Sequence, residues 1–178
     1  EGNSRIENIS FEAFPGGAIV AIQNNGSNIE VINCDSKLNL VRFIGGKNHA
    51  VHGCLVTRLQ NVGSLSPWVG VYMSGVENGV LGNNTILGMD DGVVLLGNTN
   101  TRFEENIVAG NIVGVKMDAT TLATAQIEYN CVADNGIAGV TSDFYNTTTQ
   151  ATFIPTGVGN ISVSPQIIGA GDYRLLRS

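Results

Sequence analysis

Two adjacent carboxylates are the clearest chemical feature of this sequence of 178 residues. Asp90 and Asp91 stand between Gly88 and Gly92, directly before an apolar stretch. Two neighbouring carboxyl groups can act as acid and base at a glycosidic bond, or they can together bind Ca²⁺. The same Asp-Gly step also favours a polar turn before a strand, so the chemical and the structural interpretation both stay open.

The only tryptophan, Trp68, follows Pro67 in a stretch that interrupts the repeat described below. Loops on a rigid scaffold often carry functional side chains, and an aromatic ring at the edge of a groove can stack on the face of a sugar. Alternatively, the ring covers the core beneath a long loop. The sequence leaves both interpretations open.

An internal repeat supplies the elements that must position these residues. Each copy has a template at relative positions zero, three and five, apolar throughout except for Asn at position three in the last three copies, followed by a second template of a small residue, a β-branched residue, any residue and an apolar residue. The first members of the six copies are Ile6, Ile29, Val51, Leu81, Phe103 and Ile127, which are 23, 22, 30, 22 and 24 residues apart. The third copy therefore carries an insertion of about eight residues within 57–69.

Two short strand-forming blocks in each repeat, with Gly and Asn at the corners and no helical stretch between them, predict an all-β, single-stranded parallel β-helix of about six coils. One coil cannot bury its own apolar residues, whereas coils stacked about 4.8 Å apart form a continuous interior. We expect one domain, 1–178, which is a fragment of a larger protein. Its expected parts are coils at 4–26, 27–47, 48–76, 77–98, 99–125 and 126–160, and a tail at 161–178.

A leucine-rich repeat is the rival fold, because its L-x-x-L-x-L pattern has the same spacing. Leu is scarce at the template positions and the second block is β-branched instead of helix-forming, so the β-helix is favoured. The β-helix also explains Asn84, Asn106 and Asn130, which recur at a position that is apolar in the earlier copies. We predict that these amides point inward and form a hydrogen-bonded ladder at a turn.

Equivalent positions in successive coils form columns. The residue two after the small one is expected to face outward, which places Arg42 and Lys116 three coils apart, about 14 Å, as subsites for successive anionic sugars. Two positions further on, Asp118 and Asp143 are expected about 5 Å apart, where they either bind Ca²⁺, the only cofactor that the sequence suggests, or are solvated. The predicted outward column contains Val20, Arg42, Tyr72, Val94, Lys116 and Thr141, and a predicted solvated acidic column on another face contains Glu7, Glu30, His52, Gly82, Glu104 and Glu128.

The motif I-x-x-N-x-I followed by G-V-x-M resembles the repeats of the right-handed parallel β-helix proteins of the pectate lyase-like superfamily, over residues 4–160. The resemblance implies a right-handed coil and an extracellular or cell-surface protein that binds or processes polysaccharide. It also implies catalytic roles, since the segment around Asp90 and Asp91 resembles the Asp-Asp segment of polygalacturonases, and lyases of this fold use a cation, here Lys116, as the base. The Gly-His-Gly and Arg-Ile-Lys segments of polygalacturonases do not follow, so lyase, glycoside hydrolase and non-enzyme all stay open.

Composition and charge exclude several classes of function. Nine Lys and Arg against 15 Asp and Glu give a net charge of −6, and no basic stripe is present to neutralise the phosphates of a nucleic acid. No apolar run approaches the ~18 residues of a membrane span. The three cysteines, Cys34, Cys54 and Cys131, follow neither a disulfide framework nor a metal-binding spacing.

The favoured hypothesis is a domain that binds or processes an acidic polysaccharide in a lateral groove. The predicted lining of that groove is Trp68, Tyr72, Asp90, Asp91 and Lys116, and Arg42 is a further predicted substrate-binding residue. The alternative is a non-enzymatic structural module of an adhesin or tailspike type, whose open ends associate end to end or in a homo-oligomer. Aromatic and charged side chains clustered on one face favour the first hypothesis, and a featureless surface favours the second.

Overall fold

The computed structural model describes residues 3–12, 20–58, 67–137 and 140–165. Over these residues the chain winds as a parallel β-helix in which each coil contributes one strand to each of three sheets, named A, B and C in the order in which the chain visits them. Strands make up 52% of the structure and helix 3%, which confirms the all-β prediction over the leucine-rich repeat. The template positions zero, three and five of each repeat thus span two strands, one in sheet A and one in sheet B, with a corner between them.

The strands follow each other in the order A, B, C. The first coil contains β1 (Ser4–Glu7), β2 (Ser10–Phe11) and β3 (Val20–Asn24), the second β4 (Ile29–Ile32), β5 (Asp35–Ser36) and β6 (Asn39–Ile44), and the third β7 (Ala50–His52), β8 (Leu55–Thr57) and β9 (Val69–Ser74). The fourth contains β10 (Val80–Gly82), β11 (Thr85–Leu87) and β12 (Asp91–Leu96), and the fifth β13 (Arg102–Glu104), β14 (Ile107–Ala109), β15 (Val113–Met117) and the helix α1 (Ala119–Leu122). The sixth contains β16 (Gln126–Glu128), β17 (Cys131–Ala133), β18 (Gly136–Ile137), β19 (Val140–Thr141), β20 (Phe144–Asn146) and β21 (Ala151–Thr152).

Columns of apolar side chains fill the interior. In sheet C the β-branched members of the repeat, Val71, Val93 and Val115, stack in register with Phe144, and none of the four is more than 6% exposed. These side chains face inward because alternate residues of a strand lie on the same side of the sheet. The opposite set of side chains in sheet C therefore faces away from the core, and it carries the candidate site.

The second coil pairs in a register that the apolar template did not predict. Val31, and not Ile29, is level with Val51. Ile29 and Val31 are both buried, because strand residues two apart share a face, so the template fitted either of them. The corrected register brings Cys34 level with Cys54.

The predicted asparagine ladder is confirmed at the corner between sheets A and B. Asn84 donates both its backbone N–H and its side-chain amide to Oδ1 of Asn106, each at 3.0 Å, and Asn106 donates in the same way to Asn130, again at 3.0 Å. Asn160 adds one more rung, 3.1 Å from the two donors of Asn130. Each amide thus satisfies buried backbone groups at the corner, which an apolar side chain would leave unpaired.

Two further ladders support the remaining corners. Between sheets B and C, Asn111 donates to Oδ1 of Asn135, which in turn donates to Oδ1 of Asp143. Between sheets C and A, four exposed asparagines with positive φ are joined amide to amide. They are Asn28, Asn48, Asn78 and Asn100. Asparagine suits these corners because it tolerates the left-handed backbone conformation and can also bond its neighbour.

Candidate functional site

Sheet C carries the outward column in which the sequence predicted its cations. The strand register aligns Arg42 with Tyr72, Tyr72 with Val94, and Val94 with Lys116. Arg42 and Lys116 are therefore three coils apart, about 14 Å at the usual strand spacing, on the same sheet face.

The two ends of this column differ from the prediction. Gln23, and not Val20, is level with Arg42 in the first coil. In the last coil Tyr145 takes the place that was predicted for Thr141. The shift arises because β18 and β19 pair with each other in an antiparallel hairpin, so Thr141 lies outside the parallel sheet. The column therefore ends in an aromatic residue.

Arg42 and Tyr72 form a pair at one end of the face. The guanidinium carbon of Arg42 lies 5.5 Å from the centroid of the Tyr72 ring, within the range of a cation–π contact. A shallow groove beside the pair is lined by Val20, Asn39, Val41, Pro67 and Val69. Positive charge and an aromatic ring are thus presented together at the edge of a groove.

Asp90 and Asp91 each pair with a cation. Asp90 Oδ1 accepts from Arg58 Nη1 at 2.8 Å, and Asp91 Oδ1 lies 2.6 Å from Lys116 Nζ. The other oxygen of Asp90 accepts from the backbone N–H of Trp68 at 2.9 Å. The side chains of Asp90 and Asp91 are 22% and 12% exposed. The structure therefore brings the predicted carboxylates and Lys116 together in one cluster.

Every charged side chain of this cluster has a partner. Asp90 accepts hydrogen bonds through both oxygens, from Arg58 and from the backbone of Trp68. Lys116 and Asp91 form an ion pair. The geometry describes a charge-paired cluster, and the catalytic roles of Asp90, Asp91 and Lys116 stay predictions.

Trp68 is placed differently from the predicted sugar-stacking platform. Its side chain is part of the core, with 3% of the residue exposed, so its ring offers no face to a ligand. The backbone of Trp68 accepts hydrogen bonds from the N–H groups of Asp90 and Asp91, both at 3.0 Å. Arg58 lies over the ring, 5.7 Å from its centroid. The burial of the ring in the core agrees with the alternative interpretation of this tryptophan, in which it covers the core.

Asp118 and Asp143 do not form the predicted pair. Because β15 and β20 pair with Val115 opposite Phe144, Asp143 is level with Gly114, four residues before Asp118. Four strand residues span on the order of 13 Å, so the two carboxylates cannot share one cation. The prediction failed because the hairpin of β18 and β19 shifts the last strand of sheet C.

Each of these two carboxylates has its own structural role. Asp118 caps the N-terminus of α1 and accepts from the N–H groups of Thr121 and Gly97, each at 2.9 Å. Burial raises the pKa of Asp118, but the hydrogen bonds from these amides outweigh burial, and the pKa is lowered overall. Asp143 accepts from the side chain of Asn135 at 2.9 Å and from Ser162 at 2.6 Å. Among the described residues, no group of three or more His, Cys, Asp or Glu side chains is placed to hold a metal ion.

Two residues of the site were missed by sequence reasoning. Arg58 stands just before the inserted loop, and its partner Asp90 is 32 residues away, so no local pattern connects them. Tyr145 was missed because the last coil was aligned one strand too early. The only signal for either was its type, a cation or an aromatic residue near a strand end.

Comparison with protein families identifies the class of this fold. The family model described as the right-handed β-helix region matches residues 1–154, and the chain belongs to this family. The right-handed β-helix that the sequence motifs resembled is thereby confirmed. Searches of curated proteins and of solved structures returned no match. Within the described part of the chain, no helix has the length and apolar character that a membrane crossing requires.

Proposed function

We propose that the chain binds an acidic polysaccharide along the outer face of sheet C and does not cleave it. The observation that carries the proposal is the column in which Arg42, Tyr72, Lys116 and Tyr145 share one face at successive coil positions. A polymer that lies parallel to the helix axis meets one position of this column about every 4.8 Å. It would therefore meet Arg42 and Tyr72, pass over the buried Val94, and then meet Lys116 and Tyr145.

Arg42 is the expected anchor for a carboxylate. It forms no ion pair with any residue that the structure describes, and its guanidinium lies over the ring of Tyr72. Lys116, in contrast, is already neutralised in part by Asp91. Guanidinium groups bind carboxylates in a bidentate manner, and tyrosine rings stack on sugar faces, so the Arg42–Tyr72 pair can contact both parts of a uronic acid.

The net charge of −6 opposes the approach of a polyanion. We therefore expect modest affinity that weakens as salt screens the single strong contact. A polysaccharide ligand agrees with an extracellular location, which is part of this proposal. The competing structural-module hypothesis predicts no glycan binding at all.

The test is isothermal titration calorimetry with oligogalacturonate on the wild type and on Arg42→Gln. Loss of a charge-assisted contact should weaken binding about tenfold or more. Arg5→Gln is the matched control, because Arg5 is an exposed arginine on sheet A that pairs with Glu7 at 2.8 Å. Equal affinity in the wild type and Arg42→Gln would place the site elsewhere, and no binding by the wild type would favour the structural module. A rise in ultraviolet absorbance from unsaturated uronate products would overturn the claim that the polymer is not cleaved.

A further inference from the structure

A second surface, at the corner between sheets A and B, has a column of residues in the left-handed backbone conformation. One residue of each of the six coils occupies it, kept in register by the strand pairings of sheet A, and Gly159 follows the sixth coil and lies against Tyr129. All of its members have φ between 50° and 70°. They are Asn8, Asn33, Gly53, Asn83, Glu105, Tyr129 and Gly159.

Glu105 and Tyr129 depart from the residue types that this conformation favours. Five of the seven positions are Asn or Gly, which tolerate positive φ, whereas Glu and Tyr are disfavoured there. The two departures lie in adjacent coils, about 4.8 Å apart. Residues held in a disfavoured backbone conformation cluster at sites where the side chain has a use.

The side chains at this corner form a coherent polar and aromatic set. Tyr129 is 58% exposed, and its ring lies against Gly159, where a Cβ atom would collide with it. Glu105 Oε2 accepts from the side-chain amide of Asn83 at 2.8 Å. Its Oε1 has no hydrogen-bond donor among the described residues. A shallow groove lined by these residues, Thr85 and Ile107 runs across the corner.

We infer that this corner is a binding site for a sugar unit that carries no acidic group. The exposed Tyr129 ring offers a stacking face, and the exposed oxygens of Glu105 and Asn83 can accept hydrogen bonds from hydroxyl or amino groups of a sugar. Glu128, which directly precedes Tyr129, adds to the negative charge of Glu105 and repels uronates, whereas Glu104 is paired with Arg102 at 2.6 Å. The site is therefore distinct in ligand class from the face of sheet C.

Replacing Tyr129 or Glu105 by Asn, which occurs at other positions of this column, tests sugar binding without adding backbone strain. Tyr129→Asn and Glu105→Asn place a tolerant residue at positive φ, so we expect a melting temperature that is unchanged or raised by about 2–4 °C. Both substitutions should weaken sugar binding at least tenfold, whereas Tyr129→Phe keeps the ring and should retain binding. Lys47→Gln, an exposed substitution outside both proposed sites, is the control and should leave binding at this corner unchanged.

The probes are a glucan hexasaccharide, a deacetylated glucosamine hexamer, oligogalacturonate and an oligolysine peptide, each titrated by calorimetry. Binding of either of the first two that is lost in Tyr129→Asn supports the site, and stronger binding of the glucosamine hexamer at low salt identifies an amino sugar. Binding that survives both Tyr129→Asn and Glu105→Asn overturns the inference, as does binding of an oligolysine peptide with neither sugar bound. If Tyr129→Asn lowers the melting temperature, its loss of binding could follow from the loss of stability. Glu105→Gln then provides the test, because it keeps the shape of the side chain and must still weaken sugar binding.

Discussion

Cys34 donates its backbone N–H to the sulfur of Cys54, 3.4 Å away, at the level where later coils use asparagine amides. The next rung is already mixed, since the N–H of Cys54 donates to Oδ1 of Asn84 at 3.0 Å. The two cysteines are thus the lower rungs of the asparagine ladder, and Cys54 Sγ lies near the carbonyl of Val31 at 3.7 Å, where a ladder amide would donate. Sulfur is a weak acceptor and a weak donor, so these rungs are the weakest of the column.

Replacing Cys54 by Asn should therefore stabilise the protein. The new amide would accept from Cys34 and donate to the carbonyls of Val31 and His52, as Asn106 does to the carbonyls of Leu81 and Glu104. We expect the free energy of unfolding to rise by about 1 kcal/mol, measured by denaturant titration.

Two comparisons test the cause of that gain. Cys54→Ser, whose shorter side chain does not span the rung, should show no gain.

Burial raises the pKa of Cys54 to about 12. The wild type should therefore lose stability as the pH rises above 9.0, where the unfolded chain releases the thiol proton first, and Cys54→Asn should lose less. An identical alkaline decline in both proteins would show that this thiol is not the cause.

Substitution in the middle of the asparagine ladder between sheets A and B should lower stability more than any other substitution at that corner. Asn106→Leu removes an acceptor from the N–H of Asn84 and leaves the carbonyls of Leu81 and Glu104 without their donor. Buried groups without partners cost roughly 1–3 kcal/mol, and thermal or chemical unfolding would measure that loss. The exposed asparagine Asn78 is the matched control, since Asn78→Gly keeps the positive φ and removes only an outer amide. Stability that is unchanged in Asn106→Leu would contradict a buried ladder.

His49 gives the protein a dependence on mildly acidic pH. Its ring is fully buried and stacks on Phe43 with 4.3 Å between centroids, and neither ring nitrogen makes a hydrogen bond of good geometry. Burial lowers the pKa of His49 below 6.5, although the nearby backbone of Gly45 and Gly26 opposes this in part. Below pH 6.5 the unfolded chain therefore binds a proton that the folded chain resists, and stability is lost as the pH falls from 6.5 toward the folded pKa.

His49→Phe tests this dependence, because it keeps the stacked ring and removes the titrating group. The wild type should lose free energy of unfolding between about pH 7 and pH 5, and the variant should lose less. Parallel curves for the two proteins would show that other groups cause the decline. His52→Phe, a substitution on the outer face of sheet A, serves as the comparison.

The fold was predictable from the sequence because its repeat consists of inward-facing residues. Val71, Val93 and Val115 recur at one position of the template, and Asn106 recurs with its neighbours at another. Columns of identical or similar residues are what stacked coils require, so the pattern alone indicates a β-helix. The two-residue error at Ile29 has the same origin, since residues two apart face the same side and both are apolar.

The candidate site was less predictable, because its contacts depend on features that interrupt the repeat. The hairpin of β18 and β19 displaces the last strand of sheet C, which separates Asp118 from Asp143 and brings Tyr145 beside Lys116. The Arg58–Asp90 pair joins residues on either side of an insertion, and spacing cannot predict such a contact. The residue types indicated which side chains could take part in binding or catalysis. The strand register was needed to show which of these side chains contact each other.

Truncating Trp68 and truncating Tyr72 should have different effects on stability. Truncating a buried tryptophan typically costs about 3–5 kcal/mol, so Trp68→Ala should lose a large part of the stability, measured by denaturant titration. The backbone bonds from Trp68 to Asp90 and Asp91 do not involve the ring, and they should persist in the folded variant. Tyr72→Ala is the contrasting change, because it removes a half-exposed ring from the outer face and should alter stability by no more than about 0.5 kcal/mol.

The two variants should divide their effects between stability and ligand affinity. Tyr72→Ala should weaken binding of oligogalacturonate, since the ring forms one half of the Arg42–Tyr72 pair. Trp68→Ala, assayed at a temperature where it stays folded, should bind within about threefold of the wild type, because its ring contacts the core and Arg58 and does not face the ligand. Lost binding with little loss of stability in Trp68→Ala would contradict this division and would show that the ring contacts the ligand.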